Sequence, residues 1–441
     1  MSYTYLLKSL GCKVSQYDGA RIAEFLAGCG LRQAGDDERP DLYILNGCAV
    51  TGRASQKVRQ ALRAVRRRWP GVKLVLAGCE ARLAEKRGRE DEEGPAVEID
   101  GALPYATAPA VRELLEHLGL LSPDIPEAGE EAHLPEELIE SERTRAFLKI
   151  QDGCTQFCAY CIVPHLRGPE TSRGRSELVD EARRIVATGR REIVVTGIHV
   201  GRYAHGLVDL LRDLSVIDGL DRIRLSSIEP VEVESDLVEW LATDPKACMH
   251  LHLPLQSGCD ETLRAMRRPY DTGTFAALVD RLRERMPDIG ISTDLIVGFP
   301  GETDDQFAAT LAFVERMAFS RIHIFRYSPR DGTPAATMPN QLSNAVKQSR
   351  AKAVERVWHA SAAAFHRRFV GRSVDVLWET QENGLWHGLS REYIPCRTAV
   401  EADMHNVITP ATVTSADSDG CVTNTKRRED DPRMTQIDRA V

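Results

Sequence analysis

A chain of 441 residues, 42% hydrophobic and 28% charged, can bury the cores of two to four domains, which excludes a fibrous or largely disordered protein. Its formal net charge of −8 excludes a uniformly basic nucleic-acid binder, so a polyanion would have to be met by a local patch. There is no apolar run of about 18 residues, and the start MSYTYLLKSLGCK has neither a basic leader nor an apolar signal core, so a cytoplasmic protein is expected.

In chain order, TYLLKSLG (4–11), LYILNG (42–47) and VKLVLAG (72–78) read as buried parallel strands, each followed by a helical pattern. One such helix, 55–69, stops at Pro70 and Gly71. Strand-helix alternation over 1–122 predicts a first, parallel α/β domain. Within it, the stretch 53–73 holds Arg53, Lys57, Arg59, Arg63, Arg66, Arg67, Arg68 and Lys73 with no acid between them, a basic helix. GREDEEG at 88–94 reads as an exposed loop, and 123–142, rich in Glu and free of Lys and Arg, as a solvated connector.

The alternation resumes over 143–369 with AFLKI, EIVVTG, RIRLSS, MHLHLPL, ISTDLIVGF and RIHIFRYS as strands. Helices are expected at 176–188, 260–267, 274–285 and 303–317, and a long one at 343–369 closes the region. Six βα units predict a full or partial barrel with its chemistry at the strands' C-terminal ends. From 370 to 425, short strands separated by Asn-Gly and Asp-Gly signals read as a small antiparallel barrel, and 426–441 as a disordered tail.

Eleven cysteines in a reducing compartment point to metal ligation or catalysis rather than to disulfides. Cys154, Cys158 and Cys161 form a C-x3-C-x2-C cluster directly after a predicted strand. Thiolates this close can wrap one face of a compact iron-sulfur centre and leave one iron open to a small chelating molecule. The alternative is a structural zinc site with His165 as fourth ligand, although zinc sites usually pair two short units across a longer gap. A second set, Cys12, Cys48 and Cys79, lies one residue past three parallel strands, each cysteine preceded by Gly, so the sulfurs are expected to converge at one sheet edge. Three buried structural cysteines are the competing reading. Cys29, Cys248, Cys259, Cys396 and Cys421 lack partners at ligand spacing and read as buried small residues. His199 and His252 fall at predicted strand ends, and Trp358, Trp378 and Trp386 read as packing residues.

The first cluster, with Tyr160 before its last cysteine, resembles the signature of the radical S-adenosylmethionine (SAM) superfamily. That resemblance implies a partial (βα)6 barrel, an open iron that binds SAM, and Tyr160 against the adenine. Both cysteine sets together resemble the methylthiotransferase family, from Gly11 to about residue 425, as do RGPETSR (167–173), VTGIHVG (195–201), LSSIEP (225–230), LPLQSGCDETLRAMRR (253–268), TDLIVGFPGET (293–303) and YSPRDGTPAA (327–336). The resemblance implies two 4Fe-4S clusters, held by Cys12, Cys48 and Cys79 and by Cys154, Cys158 and Cys161. It also implies a reductant such as a flavodoxin or ferredoxin, a tRNA substrate and a C-terminal barrel of the RNA-gripping TRAM type. Candidate SAM contacts at strand ends are Thr196, Gly197, Glu229, Gln256, Ile296 and Gly298; for Glu229 a structural salt bridge is an equal expectation. The chemistry is coherent, because an unactivated aromatic C–H offers neither a leaving group nor an acidic proton, whereas a radical can attack it.

GCKVSQYD and NGCAVT resemble most the branch that acts on N6-threonylcarbamoyladenosine next to the anticodon of tRNA, rather than the isopentenyladenosine branch or the one acting on a ribosomal-protein aspartate. Two features disagree on RNA. The basic helix suits a phosphate backbone, but the terminal barrel is acidic, which keeps a basic protein substrate open. A non-enzymatic iron-sulfur electron carrier or redox sensor, and a plain RNA-binding module, are the readings from other classes.

Overall fold

The computed structural model describes residues 3–35, 37–87, 97–121 and 144–425. The expected loop at 88–94, connector at 123–142 and tail at 426–441 lie outside the described residues.

The first unit runs β1 (Thr4–Leu10), α1 (Lys13–Gly28), β2 (Arg32–Gln33), β3 (Leu42–Gly47), α2 (Gly52–Arg68), β4 (Lys73–Gly78), α3 (Cys79–Arg87), β5 (Gly101–Leu103) and α4 (Ala108–Leu118). All five strands are parallel, in the order β2-β1-β3-β4-β5. The apolar runs of β3 and β4 are buried on both faces, as a helix-covered parallel sheet requires. Two of the five strands, β2 and β5, were not expected; at two and three residues they are too short to show a pattern.

The second unit runs β6 (Arg145–Asp152), α5 (Val163–Arg167), β7 (Thr171–Ser172), α6 (Arg175–Ala187), β8 (Glu192–Gly197), α7 (Leu207–Ser215), β9 (Arg222–Leu225), α8 (Ser235–Thr243), β10 (His250–His252), α9 (Asp260–Ala265), α10 (Thr272–Arg285), β11 (Gly290–Val297), α11 (Asp304–Met317), β12 (Arg321–Arg326) and α12 (Asn344–Arg367). Parallel pairing joins β6-β8-β9 and β10-β11-β12, and bridges at Ile223↔Ala247 and Ser227↔His252 link the two sheets into a six-stranded partial barrel. Short β7 is antiparallel to β6. Ile193, Val194 and Val195 belong to the buried strand interiors, while Glu192 and Arg224, an ion pair at 2.7 Å, are buried at the opposite end of the strands from the cysteines.

The last unit comprises β13 (Ser373–Glu382), β14 (Leu385–Ser390), β15 (Pro395–Thr398), β16 (Ile408–Asp417) and β17 (Gly420–Asn424), closed in the order β13-β14-β15-β17-β16. Asn383 and Gly384, both at positive φ, make the β13–β14 turn that Asn-Gly signalled. The expected small antiparallel barrel is present, with four of its five pairings antiparallel; β15 and β17 pair in parallel, Cys396 opposite Cys421, because five strands that alternate in direction leave one like-directed pair where the barrel closes. Trp378 and Trp386 fill this core, and Trp358 is half-buried with its ring N–H directed at Ser320 O. This barrel caps the floor of the larger one. Arg222 donates to Asp375 O (2.7 Å), Arg224 to Ser390 O (3.0 Å), and Tyr393 stacks on His250 at 4.5 Å.

Among the described residues, no helix is long and apolar enough to cross a membrane.

Candidate active site

The first trio is built by local chain geometry. After β6, Gly153 adopts φ +79 with Pro169 O only 1.9 Å from where a Cβ would lie, so no other residue fits there. The loop is pinned by backbone bonds from Cys154 N–H to Gly168 O (3.0 Å), Ala159 N–H to Met266 O (3.0 Å) and Cys161 N–H to Cys158 O (3.0 Å). Cys158 is buried, and its Sγ accepts a hydrogen bond from Arg268 at 3.2 Å. Arg268 is itself buried and also bound to Glu229 and the Tyr270 hydroxyl. Burial pushes the Cys161 thiol up to about 12, with the charges of Cys158 and Cys154 adding to the rise.

The second trio is built by sheet register. Gly47 pairs with both Leu10 and Gly78, so three strand ends meet at one edge. Cys12 caps α1 and Cys79 opens α3, which places both at strand-to-helix switches. Gly78 turns the chain at φ +74, where a Cβ would stand 2.2 Å from Asn46 Oδ1. Burial raises Cys48 to about 11, and Cys12 and Cys79 are near enough to raise it further. Buried thiols of this kind need a cation to hold them as thiolates, and ligation releases their protons.

The two trios meet. Cys79 packs with Ala49, Leu83, Ile162 and Leu166, so the residue following Cys161 touches the other trio's scaffold. Arg167 crosses the same seam, donating to Cys79 Sγ at 3.3 Å and pairing with Asp18 (2.9 Å) and Asp152 (2.8 Å). Neither Arg167 nor Arg268 was singled out from sequence, although both sit in the stretches RGPETSR and LPLQSGCDETLRAMRR. The available signal was an arginine beside Gly or Pro at the end of a helix, where a buried charge is unusual unless paired.

The donor set argues against one ion. Among the described residues, the group with ligand atoms within 4.8 Å of one another is Cys154, Glu170 and His199; neither cysteine trio is that tight. A single zinc would draw its sulfurs closer, at Zn–S of about 2.3 Å. His165, the fourth ligand of the zinc alternative, instead packs edge-on against Phe157. Glu170 is committed to the Thr155 N–H and hydroxyl, and His199 lies between Cys154 Sγ (3.6 Å) and Glu232 (2.9 Å). Burial opposes protonation of His199, but Cys154 and Glu232 outweigh it and lift its pKa to about 9.

Tyr160 and Ile296 share an apolar cluster with Met266, Phe299 and Tyr327. Thr196 is buried at the end of β8, and Gly197 is packed so tightly that a Cβ would meet Gln151 O at 3.0 Å. Gln256 takes φ +68 and is bound on both sides to β11, donating to Asp294 O and accepting from the Ile296 N–H. Gly298, at φ +73, leaves room that the Lys347 side chain uses. Glu229 is held by Arg268. It also lines a cleft of about 410 Å³ with Thr155, Glu170, His199, Glu232 and Pro269, whereas the other five candidate contacts do not. His252 bonds Ser292 and lies 3.2 Å from Asp294 inside the barrel, and Cys29, Cys248, Cys259, Cys396 and Cys421 are buried and not in disulfides.

Residues 148–314 match the Radical SAM superfamily and residues 4–97 the Uncharacterized protein family UPF0004. Among curated relatives, proteins of Jannaschia sp. (strain CCS1), Novosphingobium aromaticivorans and Cereibacter sphaeroides, each named tRNA-2-methylthio-N(6)-dimethylallyladenosine synthase, are 37%, 36% and 37% identical. The matches cover 86%, 92% and 85% of this chain and 84%, 94% and 86% of theirs. The radical SAM methyltransferase TsrM from Kitasatospora setae, solved with cobalamin and a 4Fe-4S cluster, is similar in fold at a TM-score of 0.52 and 17% identity, over 76% of this chain and 77% of that one. The same enzyme with tryptophan and a SAM analogue gives 0.53 at 15% identity, over 76% and 75%. The expected threonylcarbamoyladenosine branch is corrected by these relatives, which carry the dimethylallyladenosine name. Short motifs around two cysteines decided less than similarity along most of the chain.

Proposed function

Because the chain belongs to the radical SAM methylthiotransferase family, we propose that it converts N6-dimethylallyladenosine in tRNA to its 2-methylthio derivative, using two 4Fe-4S clusters and SAM. The observation that carries this reading is the meeting of the scaffolds of the two cysteine trios across one seam, with Cys79 and Ile162 in one apolar cluster and Arg167 bonded to Cys79 Sγ. In this reading Cys154, Cys158 and Cys161 hold the cluster that binds SAM, and Cys12, Cys48 and Cys79 hold an auxiliary one. Bound there, the first group supplies one-electron cleavage of SAM, and with it the oxidising power to break an unactivated C–H bond.

The chain's own residues supply position and electrostatics. Arg268 and Arg167 each hydrogen-bond one sulfur of a trio, which favours added negative charge on that centre. Glu229 neutralises Arg268 from the cleft side, and Tyr160 with Ile296 offers an apolar wall for an adenine. Thr196, Gly197, Gln256 and Gly298, near the C-terminal ends of β8, β10 and β11, are the further candidate SAM contacts. Electrons would come from a small reductant of the flavodoxin or ferredoxin kind.

The test is mass spectrometry of tRNA nucleosides from cells with and without the gene, beside anaerobic incubation of reconstituted protein with SAM and dithionite. The reading expects loss of 2-methylthio-N6-dimethylallyladenosine on deletion and formation of 5′-deoxyadenosine in vitro. An unchanged nucleoside overturns the substrate.

A further inference from the structure

Helix α2 carries a cationic face that is unpaired among the described residues. Ser55, Val58, Leu62 and Val65 are buried, and Arg53, Lys57, Arg59, Arg63 and Arg67 are exposed on the opposite arc. None of these five makes an ion pair or side-chain hydrogen bond with another described residue, whereas Arg66 on the same helix bonds Val72 O, Glu98 O and Asp100. Arg53 with Lys57, Arg59 with Arg63, and Arg63 with Arg67 are like-charge neighbours at i,i+4, an arrangement that weakens a helix in isolation. In a chain of net charge −8, this stripe about 21 Å long is a local exception.

The helix also starts at the site. Gly52 follows Cys48 by four residues and donates to Ser328 Oγ (3.1 Å), while Arg330 reaches Ser55 Oγ (3.2 Å), which in turn bonds Glu80 (2.8 Å) beside Cys79. The stripe is therefore anchored to both cysteine scaffolds and leads outward from them.

The C-terminal barrel has the opposite character. It contains no lysine over 371–425, and its three arginines are spent internally: Arg372 on Asp288 (2.5 Å), Arg391 on Pro245 O and Ala247 O (2.6 Å each), and Arg397 on Asp417 (2.6 Å). Asp375, Glu382, Glu401, Asp403 and Asp419 are exposed. What it does do is close the floor beneath β8, β9 and β10, through Arg222, Arg224 and the Tyr393–His250 stack.

We infer that α2, and not the C-terminal barrel, grips the substrate RNA, its exposed Arg and Lys side chains binding the phosphate backbone of the stem while the modified base enters at the helix's N-terminal end. This rests on tRNA being the substrate. Contacts of this kind neutralise phosphates without reading sequence, so they set affinity and its salt dependence. The barrel serves as a structural floor.

The test titrates tRNA against the anaerobically reconstituted full-length protein at several salt concentrations, for wild type, R59E/R63E/R67E and R59Q/R63Q/R67Q. The charge-reversal variant is expected to bind at least tenfold more weakly at low salt, with the log–log salt slope shallower by about 2–3. The glutamine variant, which adds no repulsion, should show the same loss of slope with a smaller loss of affinity. Ultraviolet crosslinking to tRNA should label peptides within 52–68. Wild-type affinity in both variants, or crosslinks confined to residues from 371 onward, would overturn the inference. Failure of the wild-type protein to bind tRNA at all would instead sink the substrate reading.

Discussion

The two cysteine trios are assembled by unlike routes. Cys154, Cys158 and Cys161 lie within eight residues on one loop, fixed by Gly153 and by backbone bonds to Gly168 and Met266. Cys12, Cys48 and Cys79 are scattered over three βα units and are gathered only by parallel register. A site made by loop geometry depends on a few dihedral angles, while one made by register depends on a whole sheet. Mutations far from the sulfurs should therefore damage the second more.

The largest separation comes from removing each trio in turn. Replacing Cys154, Cys158 and Cys161 by Ala should abolish 5′-deoxyadenosine formation, whereas replacing Cys12, Cys48 and Cys79 should leave it and abolish methylthiolated product. Each variant should retain about half the iron; loss of all iron from either would show that the trios do not assemble independently. Next in size is the buried Glu192–Arg224 pair beneath the barrel that carries the loop trio. Despite burial, Arg224 brings the Glu192 carboxyl down to about 2 from 4.5, so its contribution to stability is complete above about pH 4.5 and is lost as pH falls toward 2. Glu192→Ala should cost about 3–5 kcal/mol by stranding Arg224, and Glu192→Gln should flatten the acid limb of a melting profile between pH 2 and 5.

A smaller effect tests the register argument. Gly78→Ala, at φ +74 and facing Asn46, should destabilise by about 1–3 kcal/mol and lower iron held by the N-terminal trio, with 5′-deoxyadenosine formation retained. Smallest are the arginines. Arg268→Met and Arg167→Met should each shift the reduction potential of the neighbouring centre downward, by on the order of tens of millivolts, readable by spectroelectrochemistry. Arg167→Met should also loosen the seam by removing its ion pairs with Asp18 and Asp152, which would be left to Lys149, a loss that Arg268→Met should not share.

Much of this was legible in the chain. The strands at 4–11, 42–47 and 72–78 fall within a residue of those observed, because largely apolar runs that end in Gly leave little choice. The long helix, expected at 343–369 and found at Asn344–Arg367, shows the same. The parallel closure of the last barrel was not legible, since pairing direction depends on where a connection returns and not on the residues that pair. Nor was the division of labour between RNA surfaces, because composition counts the barrel's arginines without showing that each is already bound.

The sequence by itself determined the elements, the spacing of six cysteines at strand ends and the presence of a cationic helix, since periodicity and side-chain type act locally. Tertiary structure alone decided that the two trios share a seam, that Arg167 and Arg268 reach their sulfurs, and that the stripe on α2 begins beside Cys48. Those facts depend on contacts between residues up to hundreds of positions apart, and such contacts exist only once packing has chosen one arrangement of the sheets.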